Sequence, residues 1–304
     1  MKRTICFLPA LALFAASTSV QAAPVVLPID GLDTADVNFS SVSSDLGGGI
    51  LGISDAQSLG AGGGSDHFDE AFGVTVDGSG YSVTGGDLTG NTLTLDSIAI
   101  GQYDVQVEFT SSGPVMRQIV NVTNTGAAGT ASVRWHNNTG NDGSQQTIAS
   151  SDGDTVGEAS DRWIVTADST TGTDNEVNSW ILFGTGTSLA PTSLAMVDGN
   201  AGFGFAGEQG LNAIFDLALG AGETGSLMWF VGIEGINADG ISLAMMFDDT
   251  SSGFFQGLTA DLSEAEKARI ANWDLGDVES VPVPAPLALL GLGFLALTAR
   301  KHLK

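Results

Sequence analysis

The residues with the clearest potential for chemistry are acidic side chains on glycine-containing loops. Asp142, Asp152 and Asp154 lie in two short segments, 141–144 and 151–155, that combine aspartate with glycine and hydroxyl residues. Ca²⁺ takes several hard oxygen ligands in a roomy site, and loops of this composition supply them. The spacing is not that of an EF-hand, and a solvated turn uses the same residue types. The segments therefore predict a calcium site at these three aspartates, with a plain polar turn as the alternative; we expect no other cofactor.

Constellations typical of enzymes are sparse. Ser65, Asp66 and His67 are consecutive, whereas a catalytic triad needs its members to converge from different elements, so a polar loop is predicted there. His136 follows a predicted strand and is interpreted as a turn residue. Two carboxylates alone can catalyse glycoside hydrolysis. With 35 acidic residues, however, the sequence marks no particular pair.

Charge is distributed unevenly along the 304 residues, whose formal net charge is −25. All 35 acidic residues lie between Asp30 and Glu279, and the basic residues in that body are Arg117, Arg134, Arg162, Lys267 and Arg269. A body so acidic argues against nucleic acid as a partner and against binding to an anionic membrane face. Acidic polysaccharide is repelled unless divalent cations bridge the two. The one cysteine, Cys6, lies outside this body, which excludes disulfides and thiolate sites within it.

The amino terminus has the pattern of a secretory signal peptide. Lys2 and Arg3 precede a short apolar run, and Val20-Gln21-Ala22 offers small residues at the positions read by signal peptidase. Cleavage after Ala22 is predicted. The apolar run is too short for a stable transmembrane anchor.

The carboxyl terminus has a second targeting pattern. Val281, Pro282, Val283, Pro284 and Ala285 precede an apolar run over 286–299 and a basic end. As a helix, 14 residues span about 21 Å, less than the roughly 30 Å of a bilayer core. The terminal cations favour a cytoplasmic end. A simple tail anchor is the alternative to a processed signal.

These last 24 residues resemble the sorting signals of the PEP-CTERM class in its VPxPA variant, with Val283 where leucine is commoner. The resemblance implies a bacterium with an outer membrane, transient anchoring in the inner membrane, and processing at the motif by an exosortase. It also implies a final place at the cell surface or outside the cell, in association with exopolysaccharide.

Between the two ends the sequence predicts an all-β protein, a large antiparallel β-sandwich. Glycine is frequent, with 42 residues, and alternation of apolar and polar residues is clear in 103–109 and 115–123, which flank a turn. Turn residues separate the other strand candidates at intervals typical of a sandwich. These candidates are 72–76, 91–95, 131–135, 162–167, 179–183, 213–219 and 226–233. The five tryptophans are predicted to lie mostly in the core, with a sugar-stacking platform as the alternative.

One short helix is predicted near the end of the body. Ser263 and Glu266 have the spacing of a capping box, so a helix over 263–273 is expected to close the sandwich. The predicted organisation is a signal peptide (1–22), a glycine- and serine-rich region that is loose or forms a peripheral strand pair (23–65), the acidic body (66–280) and the sorting segment (281–304).

The function predicted from these features is a secreted, exosortase-processed structural or binding component of the extracellular matrix, without enzymatic activity. Divalent cations are expected to assist its contact with exopolysaccharide. The alternative is a carboxylate-dependent, polysaccharide-active enzyme built on a β-sandwich.

Overall fold

The protein is an all-β sandwich with a short helical segment after its last strand, as the sequence predicts. The computed structural model describes residues 26–27, 32–33, 37–39, 42–43, 50–53, 56–58, 67, 71–140, 145–170, 176–187, 189–197 and 210–275. The signal-cleavage residue Ala22, Asp142, and the sorting motif Val281–Ala285 with its apolar run lie outside these residues. In the described residues no helix is long and apolar enough to cross a membrane.

The strands vary from two to eleven residues in length. In chain order they are β1 (Val26–Leu27), β2 (Val37–Phe39), β3 (Val42–Ser43), β4 (Gly52–Ile53), β5 (Ala56–Ser58), β6 (Gly73–Val76), β7 (Ser79–Gly80), β8 (Gly86–Thr89), β9 (Thr92–Leu95), β10 (Ile98–Ile100), β11 (Tyr103–Ser112), β12 (Val115–Asn124), β13 (Gly129–His136), β14 (Gln146–Ser150), β15 (Trp163–Ala167), β16 (Val177–Ile181), β17 (Ser193–Val197), β18 (Gly210–Leu219) and β19 (Thr224–Glu234).

Two large antiparallel sheets form the sandwich. The nine-stranded sheet has the order β14-β15-β16-β19-β12-β11-β9-β8, with β10 paired to β11, and the five-stranded sheet has the order β17-β18-β13-β6-β7. Two small sheets, β1-β3-β4 and β2-β5, are formed by the segment predicted to be loose or to form a strand pair. A bridge between Ile53 and Ala71 joins that segment to the body.

The main core lies between the two large sheets. Trp135 of β13 stacks on Trp229 of β19, with ring centroids 5.2 Å apart, and Phe72 packs edge-on against Phe109 of β11. All five tryptophans are buried, so the prediction of core tryptophans is confirmed. Their burial removes them as a platform on which sugar rings stack.

A second apolar cluster covers the outer face of the nine-stranded sheet. Met228 and Phe230 of β19 alternate with residues of the main core and pack against the segment that follows the strand. That segment contains α1 (Asn237–Met245), a 3₁₀ turn (Met246–Asp248), α2 (Gly253–Leu258) and α3 (Glu264–Lys267). Because both faces of β19 are buried, its sequence is almost continuously apolar.

The capping box at the last helix is confirmed. Ser263 accepts a hydrogen bond from the backbone of Glu266, and the Glu266 carboxylate accepts one from the backbone N–H of Ser263. The helix is shorter than the predicted 263–273, and α1 and α2 were not predicted. Trp273 nevertheless docks on the sheet as expected, since its indole N–H donates to the Met228 carbonyl over 2.7 Å.

The strongest predicted hairpin is confirmed as β11 and β12. Its strands pair from Tyr103 with Asn124 to Ser112 with Val115, and a two-residue turn joins them. Gly113 has a φ of +56°, as the first central residue of a type II′ turn requires. This register decides which side chains of the two strands lie side by side.

Candidate functional site

Two charged residues face outward from the central hairpin. Glu108 of β11 alternates with the inward-facing Val107 and Phe109, and Arg117 of β12 alternates with the inward-facing Met116 and Gln118. In the register, Glu108 pairs with Ile119, one outward position along β12 from Arg117. Both side chains therefore lie on the face that the helical segment partly covers.

Arg117 is almost fully buried, at 2% exposure, and its guanidinium connects the sheet to the helical segment. Nη1 donates to the Leu258 carbonyl over 2.6 Å and to Asp261 over 2.7 Å. Nη2 donates to the second Asp261 oxygen over 2.6 Å and to the Thr110 hydroxyl over 3.0 Å. A planar guanidinium suits this two-point recognition of a carboxylate, so the arginine fixes the position of the loop between α2 and α3.

Glu108 lies beside this pair and is 24% exposed. One of its oxygens is 3.5 Å from Arg117 Nη2, and the other accepts a hydrogen bond from the Thr94 hydroxyl over 3.5 Å. Burial raises the pKa of the Glu108 carboxyl; Arg117 opposes this, and the negative charges of Asp261 and Glu266 add to it. The carboxyl therefore keeps its proton to a higher pH than an exposed glutamate.

The neighbouring carboxylates are shifted in the opposite direction. The hydrogen bonds from Arg117 lower the pKa of Asp261. The hydrogen bonds from the Ser263 hydroxyl and backbone lower the pKa of Glu266. A carboxyl whose pKa is raised thus lies close to two carboxylates whose pKa values are lowered. Enzymes use such divergent environments to separate a general acid from an ionised partner.

A small cleft opens next to Glu108. It encloses about 10 Å³, room for about one water molecule, and is lined by Glu108, Ile119, Asn121, Ser226, Glu266 and Ile270. The strands supply one wall and the segment around α3 supplies the other. Small-molecule sites usually measure roughly 300–1,000 Å³, so this cleft is a recess in the surface that does not enclose a sugar ring.

The predicted calcium residues are brought together only in part. The Ser150 hydroxyl lies 2.7 Å from Asp152 Oδ1 and 3.0 Å from Asp154 Oδ1, and backbone amides donate to both aspartates. The Ser150 hydroxyl also lowers the pKa of Asp152. Asp142 lies outside the described residues, and among those that are described no group of three or more histidine, cysteine, aspartate or glutamate residues is suited to a metal. Calcium at this loop stays a prediction.

His67 and His136, the histidines among the described residues, are both buried. His67 is buried and its Nδ1 lies 3.2 Å from the Asn178 side-chain oxygen, while Ser65 and Asp66 lie outside the described residues. His136 is the last residue of β13 and is buried beside Thr75 and Asn212, so its interpretation as a turn residue was wrong. Strand pairing to β18 and β6 continues through His136, which explains why it does not enter a turn.

The sequence did not predict the group formed by Glu108, Arg117 and Asp261. Alternation in the hairpin was sufficient to place Glu108 and Arg117 on one face, since both are out of phase with their apolar neighbours. Asp261 lies 144 residues after Arg117 in the chain, so no local sequence pattern could indicate that the two side chains pair.

Comparison with known proteins gives similarity at the level of fold. No family model matches the chain, and no curated protein matches it. A polysaccharide lyase of known structure shares 13% identity over 71% of this chain and 35% of its own, with a TM-score of 0.43. A galactose mutarotase related enzyme from Lactobacillus acidophilus shares 9% over 67% of this chain and 96% of its own, with a TM-score of 0.33. A galactose mutarotase-like protein from Lactobacillus casei shares 8% over 70% and 100%, with a TM-score of 0.35.

This comparison corrects the prediction of a structural or binding protein without enzymatic activity. The solved structures that share the sandwich include a lyase and a mutarotase-related enzyme, both named for carbohydrates. The chain spans about a third of the lyase it matches. At such low identity the likeness concerns the arrangement of strands, and it assigns no substrate and no residue role to this chain.

Proposed function

We propose that the protein is a carboxylate-dependent enzyme that cleaves glycosidic bonds of a polysaccharide at the cleft between Glu108 and Glu266. The observation that carries the proposal is the placement of these two side chains in one cleft, in environments that favour the protonated form of Glu108 and the ionised form of Glu266.

The proposed chemistry uses the two carboxyl groups in different roles. Glu108 donates its proton to the oxygen of the departing sugar, and Glu266 accepts a proton from the water that attacks the anomeric carbon. The water oxygen bonds to the anomeric carbon as the glycosidic bond breaks, and Glu108 and Glu266 return to their starting protonation states by proton exchange with solvent. Arg117 and Asp261 act as positioning residues, because they fix the segment that carries Glu266 against the strand that carries Glu108.

The test is turnover on polysaccharide from the producing bacterium, measured as release of reducing ends. Glu108→Gln keeps the shape of the side chain and removes its acid function, so we expect kcat to fall by about 10²-fold or more. Glu158→Gln, at an exposed loop glutamate away from the cleft, is the matched control and is expected to keep full activity. Full turnover by the Glu108→Gln enzyme would refute the assignment.

The proposed location follows from the two ends of the chain. Export by cleavage after Ala22, followed by exosortase processing at Val281–Ala285, brings the enzyme to the cell surface or the extracellular space, where exopolysaccharide is present. We expect Pro284→Ala to leave an unprocessed, membrane-associated precursor. Normal maturation of that variant would contradict the sorting proposal.

A further inference from the structure

The cleft continues into a band of uncharged polar side chains on the same face of the large sheet. In the strand register, Thr92 pairs with Thr110, Thr94 with Glu108, and Gln106 with Asn121. We call Thr92, Thr94, Gln106, Thr110 and Asn121 the polar strip. All five are partly exposed. The strip crosses three adjacent strands and ends at the cleft, which Asn121 itself lines.

The chemistry of the strip suits sugar hydroxyls. Hydroxyl and amide groups both donate and accept hydrogen bonds, as sugar hydroxyls do. Some of these groups are already ordered by neighbours: Thr92 and Thr110 lie 3.1 Å apart at their hydroxyl oxygens, and Asn121 accepts a hydrogen bond from Ser226 over 2.6 Å. Such cross-strand bonds hold the outward-facing groups in position before a ligand binds.

The charges around the strip disfavour an anionic ligand. Acidic residues near the strip and the cleft outnumber the basic ones; they are Asp87, Asp104, Glu108, Asp261, Glu264 and Glu266, against Arg117, Lys267 and Arg269. Arg117 is buried and committed to Asp261 and the Leu258 carbonyl, and Lys267 lies 3.3 Å from Glu264. The positive charge of Arg269 acts on Glu266, whose pKa it helps to lower.

We infer that the polar strip and the cleft together hold a segment of uncharged glycan, and that they exclude chains of uronic acid. This inference rests on the proposed function, which it narrows to neutral polysaccharides. The sugar at the bond that is cleaved lies over the cleft, and the strip holds the sugars beside it through hydrogen bonds to their hydroxyls.

The experiment compares oligosaccharides that differ only in the group at C6. Binding of the full chain carrying Glu108→Gln, which keeps ligands intact, is measured by calorimetry with hexamers of galactose and mannose and with the matching hexamers of galacturonate and mannuronate. We expect at least one neutral hexamer to bind and its uronate counterpart to bind at least tenfold more weakly. Thr92→Val, which removes one hydroxyl of the strip, should weaken that binding about fivefold.

The matched control is Thr130→Val, an exposed threonine on β13 of the other sheet, which should leave the Kd unchanged. Equal or tighter binding of the uronates, no binding of either neutral hexamer, or equal Kd values for the Thr92→Val and Thr130→Val proteins would overturn the inference. The proposed function can fail while the binding inference holds. If neutral hexamers bind in a Thr92-dependent manner but the unsubstituted protein cleaves none of them, the polar strip is a binding site and the catalytic role of Glu108 is refuted.

Discussion

Replacing Arg117 with methionine tests whether one buried cation holds the helical segment on the sheet. Methionine keeps most of the volume of the side chain but removes the hydrogen bonds to Leu258, Asp261 and Thr110. Removing one partner of a buried ion pair costs about 3–5 kcal/mol. Asp261 is 51% exposed and regains water when the arginine is lost, so we expect a value at the lower end, about 3 kcal/mol.

The effect of Arg117→Met should depend on pH in a direction that the structure fixes. Arg117 opposes the rise in the pKa of Glu108, so its loss raises that pKa further. A group whose pKa is higher in the folded state contributes stability below its unfolded pKa and loses that contribution as pH rises through the folded pKa. Asp261 has a pKa lowered by Arg117, so its contribution in the unsubstituted protein is present at neutral pH and is lost on acidification. The Glu108 effect makes the loss of stability greater at pH 7 than at pH 4, whereas the Asp261 contribution is lost only as pH falls below the ordinary aspartate pKa of 3.8.

The assay is urea unfolding of the full chain, followed by fluorescence of the buried tryptophans at both pH values. Arg117→Lys keeps a charge without the two-point geometry and should lose roughly half as much stability, about 1–2 kcal/mol. The double variant with Asp261→Asn should lose less than the sum of the single variants, because the two residues share one interaction. A loss below about 0.5 kcal/mol, or one that is the same at pH 4 and pH 7, would refute this account of the Arg117 contacts.

Three further predictions concern other parts of the body. Burial lowers the pKa of His67 and of His136 to about 4, so below pH 6.5 the folded state binds fewer protons than the unfolded state. The urea midpoint should therefore be constant above pH 6.5 and fall as pH decreases toward 4. A midpoint at pH 4.5 equal to that at pH 7 would contradict this prediction. Asn272→Ala removes a buried amide that bonds the Leu182 carbonyl and both backbone groups of Met228, and should cost about 3 kcal/mol in urea unfolding. Ser263→Ala removes the N-cap of α3 and should cost about 1 kcal/mol in urea unfolding; a loss as large as that of Asn272→Ala would show that Ser263 stabilises more than the start of one short helix.

The parts of the fold that could be predicted are those that neighbouring residues determine. The alternation in β11 and β12 and the turn at Gly113 define the central hairpin, and the spacing of Ser263 and Glu266 defines the start of α3. Helix α1 escaped prediction because glycine lies in its middle, where Gly240 allows close packing: a Cβ there would lie 2.4 Å from Val177. The close approach of Val177, and not the helix propensity of glycine, explains why glycine occupies position 240.

Only the sheet wall of the candidate site could be predicted from the sequence, because the two walls of the cleft come from distant parts of the chain. The hairpin register places Glu108 near Arg117, but the partner that neutralises the arginine is Asp261, and the environment that shifts the pKa of Glu108 exists only when the helical segment is docked. With 35 acidic residues in the chain, the sequence does not single out this glutamate.

The same contacts that stabilise the fold also hold the two walls of the cleft together. The choice of variant for testing the site depends on this. Glu108 lies on the sheet wall and Glu266 on the segment wall, and the Arg117 contacts to Asp261 hold the walls together. A variant of Arg117 therefore changes folding and cleft shape at once. Glu108→Gln leaves the two-point contact between Arg117 and Asp261 in place and relieves the cost of burying a charged carboxylate. Loss of activity in that variant, with a urea midpoint that is unchanged or higher, would thus report on the proton of Glu108 and not on a loss of stability.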